Sequence, residues 1–253
     1  MKILYLGDIV GEATIDVLAK AIEDIKKEYK INMVLANAEN VTQGKGLSQK
    51  HYKQLKTIGI TAMTMGNHTF SKSEIKEYID DASIVRPANI NTNYGKGYMM
   101  INYNDKKLLL VNLMGRVFIN SPLDCPFKTM DKILENNKAD YVIVDIHAEA
   151  TSEKKAFFYD FAGKVDAVLG THTHVQTADE EVYNNTCYIT DLGMCGPYES
   201  ILGDDKDMVI ERFRTGIFDR LKVAQTNEFQ ICGVILDLGQ TNKITRINLK
   251  YKL

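Results

Sequence analysis

The sequence predicts an α/β fold built around a largely parallel β-sheet, and two observations support this prediction. Short apolar runs alternate with amphipathic helical patterns through the first half of the chain, which is the order expected of βαβ units. The final part instead holds successive apolar segments joined by short turns, which predicts antiparallel pairing and a second sheet. The chain has only 4 prolines and no low-complexity tract, so residues 1–253 are expected to form a single domain.

The predicted elements follow in order along the chain. The first strands are "KILYLG", "INMVLAN" and "ITAMTMG", and the helices between them are "ATIDVLAKAIEDIKKEY" and "SQKHYKQLKTIG". The second helix is expected to begin at the N-cap candidate Ser48. Further strands are "KKLLLVNLMG", "ADYVIVDIH" and "VDAVLGTH", with the helix "SEKKAFFYDFAG" before the last of them. The closing strands are "NTCYIT", "EFQICGVILDLG" and "KITRINLKYK".

The composition is ordinary for a globular protein and excludes several classes. Hydrophobic residues make up 45% and charged residues 25%, and the formal net charge of −2 gives no overall field that attracts nucleic acid or membranes. Asp8 interrupts the first apolar run too early for a signal peptide, and no later run is long enough to span a bilayer. The 4 cysteines form no CxxC pair. We therefore expect reduced thiols, a cytoplasmic location and no membrane partner.

Polar residues collect at the carboxyl ends of the predicted strands. They are Asp8, Glu39 with Asn40, Asn67 with His68, His147, and His172 with His174. In open α/β sheets the ligand crevice lies at these ends, so residues far apart in sequence are expected to meet there. Only one of the 5 histidines is outside this set: His51 lies on the second predicted helix, where a solvated surface role is expected.

Carboxylates, carboxamides and imidazoles are the side chains that bind zinc, manganese or iron. The motif "GTHTH" at residues 170–174 holds two histidines that would stand about 6.6 Å apart in an extended chain. Imidazoles at that separation can each bind one ion of a pair about 3.5–4 Å apart, and Glu39 can bridge the pair. Taken alone, "GNH" is better explained as a turn with a capping Asn, and His147 as a core histidine. The whole combination favours a dinuclear metal centre.

Longer motifs extend this pattern over nearly the whole chain. They are "LGDIVG", "NAENVTQGKG", "MGNHTF", "RPAN", "DIHAEATSEK", "GTHTHVQTADE", "YITDLGMCGP" and "RFRTG". In this order they resemble the calcineurin-like metallophosphoesterases, and within them the bacterial YmdB-type branch. The resemblance implies a four-layer α/β/β/α sandwich of two mixed sheets flanked by helices. It also implies a metal-dependent phosphodiesterase that hydrolyses 2′,3′-cyclic nucleotides.

The resemblance also implies a role for each site residue. The wider family has Asp-x-His at the first strand, whereas Val10 stands two residues after Asp8 here, and Asn40 takes the place of that histidine. Metal one is then expected on Asp8, Glu39, Asn40 and His174. Metal two is expected on Glu39, Asn67, His147 and His172. His68 is left as the general acid.

The implied cofactors are two divalent or trivalent transition-metal ions, with iron or manganese favoured and zinc still open. A pair of ions lowers the pKa of a bridging water, so that a hydroxide is available to attack phosphorus in line with the leaving ribose oxygen. His68 is expected to protonate that oxygen. Lys45, Arg86 and Arg116 are the basic residues near the motifs, and a surface role suits each of them equally well.

Three functions stay open on the sequence alone. The first is a phosphodiesterase for a small cyclic nucleotide, and the second is a phosphomonoesterase or RNA nuclease at the same site. The third is a metal-binding scaffold that has lost catalysis, although the expected ligands and acid are all present. No motif is predicted to contact a base, and the sequence favours neither a monomer nor a homo-oligomer.

Overall fold

The computed structural model describes residues 1–252, and its first sheet has seven strands. They are Lys2–Val10 (β1), Met33–Asn40 (β2), Ala62–Thr64 (β3), Ile84–Val85 (β4), Met194–Pro197 (β11), Glu228–Asp237 (β12) and Lys243–Lys252 (β13). Their order across the sheet is β13-β12-β11-β1-β2-β3-β4. Strands β1 to β4 and β11 run parallel to one another, whereas β12 is antiparallel to its neighbours β1, β11 and β13.

The second sheet has six strands from the middle of the chain. They are Tyr98–Tyr103 (β5), Lys106–Met114 (β6), Tyr141–His147 (β7), Ala167–Thr171 (β8), Glu181–Tyr183 (β9) and Thr186–Ile189 (β10). Their order is β5-β6-β7-β8-β10-β9. The four central strands are parallel and the two edge strands are antiparallel, so this sheet is also mixed.

Five α-helices connect the strands. They are Thr14–Tyr29 (α1), Gln49–Thr57 (α2), Pro126–Asn136 (α3), Thr151–Phe161 (α4) and Lys206–Thr215 (α5), with a 3₁₀ turn at Ser73–Glu77. The predicted cap is confirmed, because the Ser48 side chain accepts a hydrogen bond from the backbone N–H of His51 (3.2 Å). Within residues 1–252, no helix has the length and apolarity needed to cross a membrane.

Three hydrophobic clusters define the layers of the molecule. One packs α1 and α2 against the first sheet, one lies between the two sheets, and one packs α3 and α4 against the second sheet. Strand β6 shows the pattern, since Leu108 and Leu110 face the first sheet while Leu109 and Val111 face the helices. Burial on both faces explains why its sequence is continuously apolar. The expected α/β/β/α sandwich of two mixed sheets is confirmed.

The C-terminal strands correct one part of the prediction. The antiparallel pairing of β12 with β13 is confirmed, but both strands extend the first sheet and do not form the second one. Strand β12 pairs along β1, from Lys2 opposite Asp237 to Leu6 opposite Gly233, and its central residues are buried. A strand buried on both faces needs neighbours on both edges, and β1 and β13 provide them.

A buried ion pair connects helix α4 to the segment after β10. The Lys154 Nζ atom lies 2.8 Å from Asp191 Oδ2, and the two side chains are only 0% and 1% exposed. Asp191 also accepts hydrogen bonds from the backbone N–H groups of Thr173 (3.0 Å) and Gly193 (2.8 Å). Because every oxygen of this carboxylate has a partner, the pair is well satisfied, and removing one member leaves an uncompensated buried charge.

We expect Lys154→Ala to lower the free energy of unfolding by about 3–5 kcal/mol, the cost of breaking a buried ion pair. Lys164→Ala is the matched control, because Lys164 lies 3.9 Å from Asp160 with about half of each side chain exposed. An exposed pair of this kind contributes about 0–1 kcal/mol. Chemical denaturation of both variants and the parent measures the difference. Equal losses in the two variants would contradict the role of Asp191 as a buried anchor.

Candidate metal centre

Both sheets contribute residues to one edge of the sandwich. Glu39 and Asn40 are the last two residues of β2, His147 ends β7, and the remaining predicted site residues lie within β1 or follow β3 and β8: Asp8, Asn67, His68, His172 and His174. The structure brings all of them together. His51 lies apart from the group, partly buried, with its Nδ1 atom 2.8 Å from Thr42 Oγ1.

One group of side chains surrounds the His147 imidazole. Its Nε2 atom lies 3.0 Å from Glu39 Oε1, 3.0 Å from Asn67 Oδ1 and 3.1 Å from His172 Nδ1. One ligand atom from each of Glu39, His147 and His172 lies within 4.8 Å of the others. Four potential metal ligands therefore converge on one point. One of them, Glu39, directly precedes Asn40, a member of the second group, at the end of β2.

The second group contains Asp8, Asn40 and His174. His174 Nε2 lies 3.9 Å from Asp8 Oδ1, and the other Asp8 oxygen accepts a hydrogen bond from the backbone N–H of His172 (3.2 Å). Within residues 1–252, Asp8 Oδ1 and Asn40 Oδ1 are buried side-chain oxygens that accept no hydrogen bond. A buried acceptor without a donor is costly, and a cation beside these two oxygens removes that cost.

The histidines of "GTHTH" do not lie on an extended chain, contrary to the sequence prediction. Strand β8 ends at Thr171, and His172 and His174 have φ angles of 105° and 63°. These left-handed conformations are strained for residues other than glycine, and they persist only where the surroundings fix them. The bonds of His172 N–H to Asp8 and of Thr173 N–H to Asp191 supply that constraint. The turned backbone directs the two rings to different ligand groups.

A steric constraint explains why the motif "GNH" begins with a glycine. A Cβ atom at Gly66 would lie 2.3 Å from the His147 Nε2 atom, so any larger residue would displace the imidazole. Asn67 follows directly and reaches the same imidazole through its Oδ1 atom. The close approach of backbone to ring thus explains a motif that, taken alone, predicts only a turn.

Carboxylates behind the histidine rings orient two of them. His147 Nδ1 lies 2.9 Å from Thr171 Oγ1, which donates a hydrogen bond to Asp145 (2.6 Å). His172 Nε2 lies 2.9 Å from Glu149 Oε2. Such partners fix the tautomer and direction of an imidazole whose other nitrogen binds a metal. Sequence reasoning missed them, although Asp145 inside the apolar strand "YVIVDIH" is the kind of buried charge that signals a partner.

Burial and charge shift the pKa values within the site. Burial raises the pKa of Asp8 to about 7, against the attraction of His174 and His147. Burial opposes ionisation of both Glu39 and His147, but their mutual attraction prevails, lowering the pKa of Glu39 and raising that of His147. Burial and the adjacent His147 lower the pKa of His172 to about 4. Asp8 therefore needs a nearby cation to be fully ionised at neutral pH.

His68 differs from the other three imidazoles of the site. Its backbone N–H donates to Glu39 Oε2 (2.8 Å), and its ring contacts the Asn67 amide and the Ser71 hydroxyl, each at 3.3 Å. Burial lowers the pKa of His68, with Glu39 opposing. His147, His172 and His174 each approach a carboxylate oxygen, whereas within residues 1–252 the His68 ring forms no ion pair. Of these four imidazoles, the His68 ring is therefore the one that is not paired with a carboxylate in the described part of the chain.

A cavity of about 310 Å³ opens beside these residues. It is lined by Glu39, Asn40, His68, His172 and His174, and also by residues that sequence reasoning missed: Gln43, Leu202, Asp204, Arg212, Arg220 and Leu221. Lys45 lines it as well. Gln43 lies in the motif "NAENVTQGKG" and Arg212 in the motif "RFRTG", but no sequence signal marks the other residues as part of a site.

The other two basic candidates lie elsewhere. Arg86 is 8% exposed, and its guanidinium donates hydrogen bonds to the carbonyls of Tyr94, Pro87, Ile90 and Thr92, so it organises a loop. Arg116 is exposed and contacts Glu153 through its backbone N–H (3.0 Å). Neither residue lines the cavity.

The donor set fits a metal ion. Two buried oxygens without hydrogen bonds, the carboxylate of Glu39 and three imidazoles are together the mixed nitrogen and oxygen donors that transition metals prefer. The raised pKa of Asp8 fits the same conclusion, because a cation is what favours its ionised form. The geometry is thus suited to divalent metal binding.

Comparison with known proteins places the chain in a family. Residues 4–249 match the family model described as YmdB-like protein. A 2′,3′-cyclic-nucleotide 2′-phosphodiesterase of Bacillus subtilis is 43% identical, over 98% of this chain and 95% of that protein. Two crystal structures are each 36% identical in sequence to this chain. The structure of a phosphatase from Mycoplasma pneumoniae has a TM-score of 0.94 and covers 100% of this chain and 94% of that one. The structure of a protein from Thermus thermophilus has a TM-score of 0.92 and covers 99% of both chains. The chain belongs to the YmdB-like family.

Proposed function

We propose that the protein is a metal-dependent phosphodiesterase that opens 2′,3′-cyclic nucleotides, working as one domain in the cytoplasm. The observation that carries the proposal is the presence of two ligand groups at one edge of the sandwich, one around His147 and one around Asp8, with Glu39 in the first and directly before Asn40 of the second. The name of the Bacillus subtilis relative supplies the substrate class. The 4 cysteines, all unpaired, suit a reducing compartment.

We assign the ligands by group. One ion would be held by Asp8, Glu39, Asn40 and His174, and the other by Glu39, Asn67, His147 and His172. When bound, the two ions, with iron or manganese favoured over zinc, supply an activated water and neutralise charge on the phosphoryl oxygens. Glu149 and Asp145 hold the imidazoles in the orientation that binding requires.

His68 is assigned as the general acid. Water adds across the bond between phosphorus and O2′: the water oxygen bonds to phosphorus, the P–O2′ bond breaks, and O2′ receives a proton. The product is a nucleoside 3′-monophosphate. The His68 ring lines the cavity beside the ligands and forms no ion pair within residues 1–252, so its nitrogens are free to approach O2′. A bound phosphate anion would favour the protonated ring that this role requires.

The first prediction concerns metal dependence and substrate class. Protein reconstituted with manganese or iron is expected to hold about two ions per chain and to turn over 2′,3′-cAMP in preference to 3′,5′-cAMP and a nitrophenyl phosphate. Chelation should abolish turnover without unfolding, because a chain of this length has a sufficient core without metal. Elemental analysis, a panel of these substrates with a short RNA, and circular dichroism provide the measurements.

Each alternative has its own outcome in that panel. Preference for the nitrophenyl monoester would support a phosphatase, the activity named for the Mycoplasma pneumoniae structure. Internal cleavage of the RNA would support a nuclease. Full metal loading without turnover of any substrate would support a scaffold that has lost catalysis, and loss of fold on chelation would make the metals structural.

The second prediction tests His68 as the acid. We expect His68→Ala to keep both metals and to lower kcat on 2′,3′-cAMP by about 10²–10⁴-fold, the usual contribution of a general acid. The defect should shrink on a nitrophenyl diester, because that leaving group departs without a proton. His51→Ala is the control, since His51 lies outside the site and bonds to Thr42. An equal defect on both substrates would show that His68 binds or positions the substrate.

The third prediction separates the two metal sites. Asn40 offers an amide oxygen, a weaker donor for these metals than imidazole, so the Asp8 group should hold its ion more loosely. Asn40→Ala should remove that ion first, whereas His147→Ala should weaken the other. Asn40→Asp is the matched control, because it keeps an oxygen at the same position. Metal titration combined with anomalous scattering measures the occupancy of each site.

The assignment of Asn40 has one decisive contrary result. If Asn40→Ala leaves both sites full with unchanged affinity, the residue serves only its loop, where its Nδ2 atom donates to the Gly44 carbonyl (3.0 Å). The first ion would then rest on Asp8, Glu39 and His174 alone.

A further inference from the structure

The cavity beside the candidate metal centre carries more positive charge than one phosphodiester requires. Four cationic side chains line it, Lys45, Lys72, Arg212 and Arg220, against the carboxylates of Glu39 and Asp204. The whole chain has a net charge of −2, so this concentration of positive charge is local. A diester carries a single negative charge, which the ions of the proposed metal centre would themselves neutralise. The surplus points to a second anionic group on the ligand.

These cations are not used in ion pairs elsewhere. Within residues 1–252, none of the four belongs to a salt bridge, whereas Lys106, Lys154 and Arg246 do. Lys72 donates to the side-chain oxygen of Gln43 (3.1 Å), a neutral partner that also lines the cavity. Unpaired cations that share one cavity wall are available to bind phosphate oxygens.

The segment that carries Arg220 is held in place by helix α5. The Arg212 guanidinium lies 4.8 Å from the centre of the Phe218 ring, and its Nη2 atom donates to the Asp219 carbonyl (3.3 Å). The far end is anchored by the N–H of Asp205, which donates to the Lys222 carbonyl (2.8 Å). Two anchor points therefore hold the backbone on either side of Arg220 beside the cavity, and the motif "RFRTG" acquires a structural role.

A second cavity of about 540 Å³ lies next to the first. The two share Val10, Gln43, Arg220 and Leu221 in their walls, so they are direct neighbours. The second cavity has an apolar wall that includes Pro197 and Val223. Its size lies within the range of about 300–1,000 Å³ that is typical of small-ligand pockets, so it suits a unit as large as a nucleoside.

We propose that the preferred substrate is an oligoribonucleotide that ends in a 2′,3′-cyclic phosphate, with the phosphate on the 5′ oxygen of its last nucleotide against Lys45, Arg212 and Arg220. The preceding nucleoside then occupies the 540 Å³ cavity. This inference rests on the proposed function, because it takes the cyclic phosphate to the metal centre. Such ends form when RNA is cleaved by attack of a neighbouring 2′ hydroxyl, so the enzyme would act after a reaction of that class.

The test compares three substrates that share one reacting end. They are 2′,3′-cAMP, its 5′-phosphorylated form, and the diadenosine dinucleotide ending in a 2′,3′-cyclic phosphate. We expect kcat/KM to rise about tenfold from the first to the second, the value of one hydrogen bond between charged groups, and to rise again for the dinucleotide. The advantage of the two longer substrates should fall as salt increases, because it depends on phosphate contacts.

Variants identify the residues responsible. Lys45→Ala/Arg220→Ala should lower kcat/KM for the dinucleotide about tenfold more than for 2′,3′-cAMP, since only the dinucleotide carries the second phosphate. Both side chains are exposed, so the core is retained. Lys243→Ala, an exposed cation at the start of β13, is the matched control and should change neither value.

The outcomes separate this inference from the proposed function. Turnover of 2′,3′-cAMP with no gain for either longer substrate overturns the inference and leaves the proposed function standing. Equal values for the 5′-phosphorylated mononucleotide and the dinucleotide overturn the place given to the nucleoside. Turnover of none of the three by metal-loaded protein overturns the proposed function, and the inference fails with it.

Discussion

The carboxylate of Asp191 is the interaction on which the arrangement of the site depends. It binds the buried ammonium of Lys154 on helix α4, the backbone N–H of Thr173 between the two histidines, and the N–H of Gly193. The Gly193 carbonyl in turn accepts from the backbone N–H of Asp8 (3.0 Å). One desolvated carboxylate thus fixes the position of the histidine turn on the second sheet relative to the aspartate on the first. Ion pairs buried in this way contribute little net stability but specify one geometry, which a metal centre requires.

The site balances charges that the fold has removed from water. Asp8, Glu39 and Asp145 are buried together, and repulsion among them would be severe without His147 and the hydroxyls of Thr64 and Thr171, which donate to Asp145. Burial raises the pKa of Asp145, with His147 and these hydrogen bonds opposing. The protein therefore has a surplus of acceptors oriented before any cation arrives. Binding of cations would relieve this electrostatic repulsion and would not need to order the ligand side chains. A site that is preorganised in this way loses little binding free energy to rearrangement.

The sequence was informative where local chemistry determines structure and uninformative where distant packing does. Strand ends, the Ser48 cap and the eight polar residues could be predicted, because periodicity and residue type reflect nearby constraints. The sheet to which β12 belongs could not be predicted, because the sequence of an apolar strand does not indicate which strand it pairs with. The left-handed turns at His172 and His174 could not be predicted either, because they depend on Asp8 and Asp191 in other segments. Arg212 and Arg220 reach the cavity only through the contacts that position helix α5 and the segment after it.

The position of β1 in its sheet has a consequence for the order in which the protein assembles during translation. Strand β1 is synthesised well before β11 and β12, the strands with which it pairs, because these begin at Met194 and Glu228. Until those residues leave the ribosome, β1 has β2 beside it and an unpaired edge on its other side, the condition under which strands associate with other chains. The sheet around Asp8 therefore lacks two of its strands for most of the time that the chain is being synthesised. Metal acquisition would therefore be a late event that follows the synthesis of β12, and termination before β12 would leave an aggregation-prone fragment without a complete site.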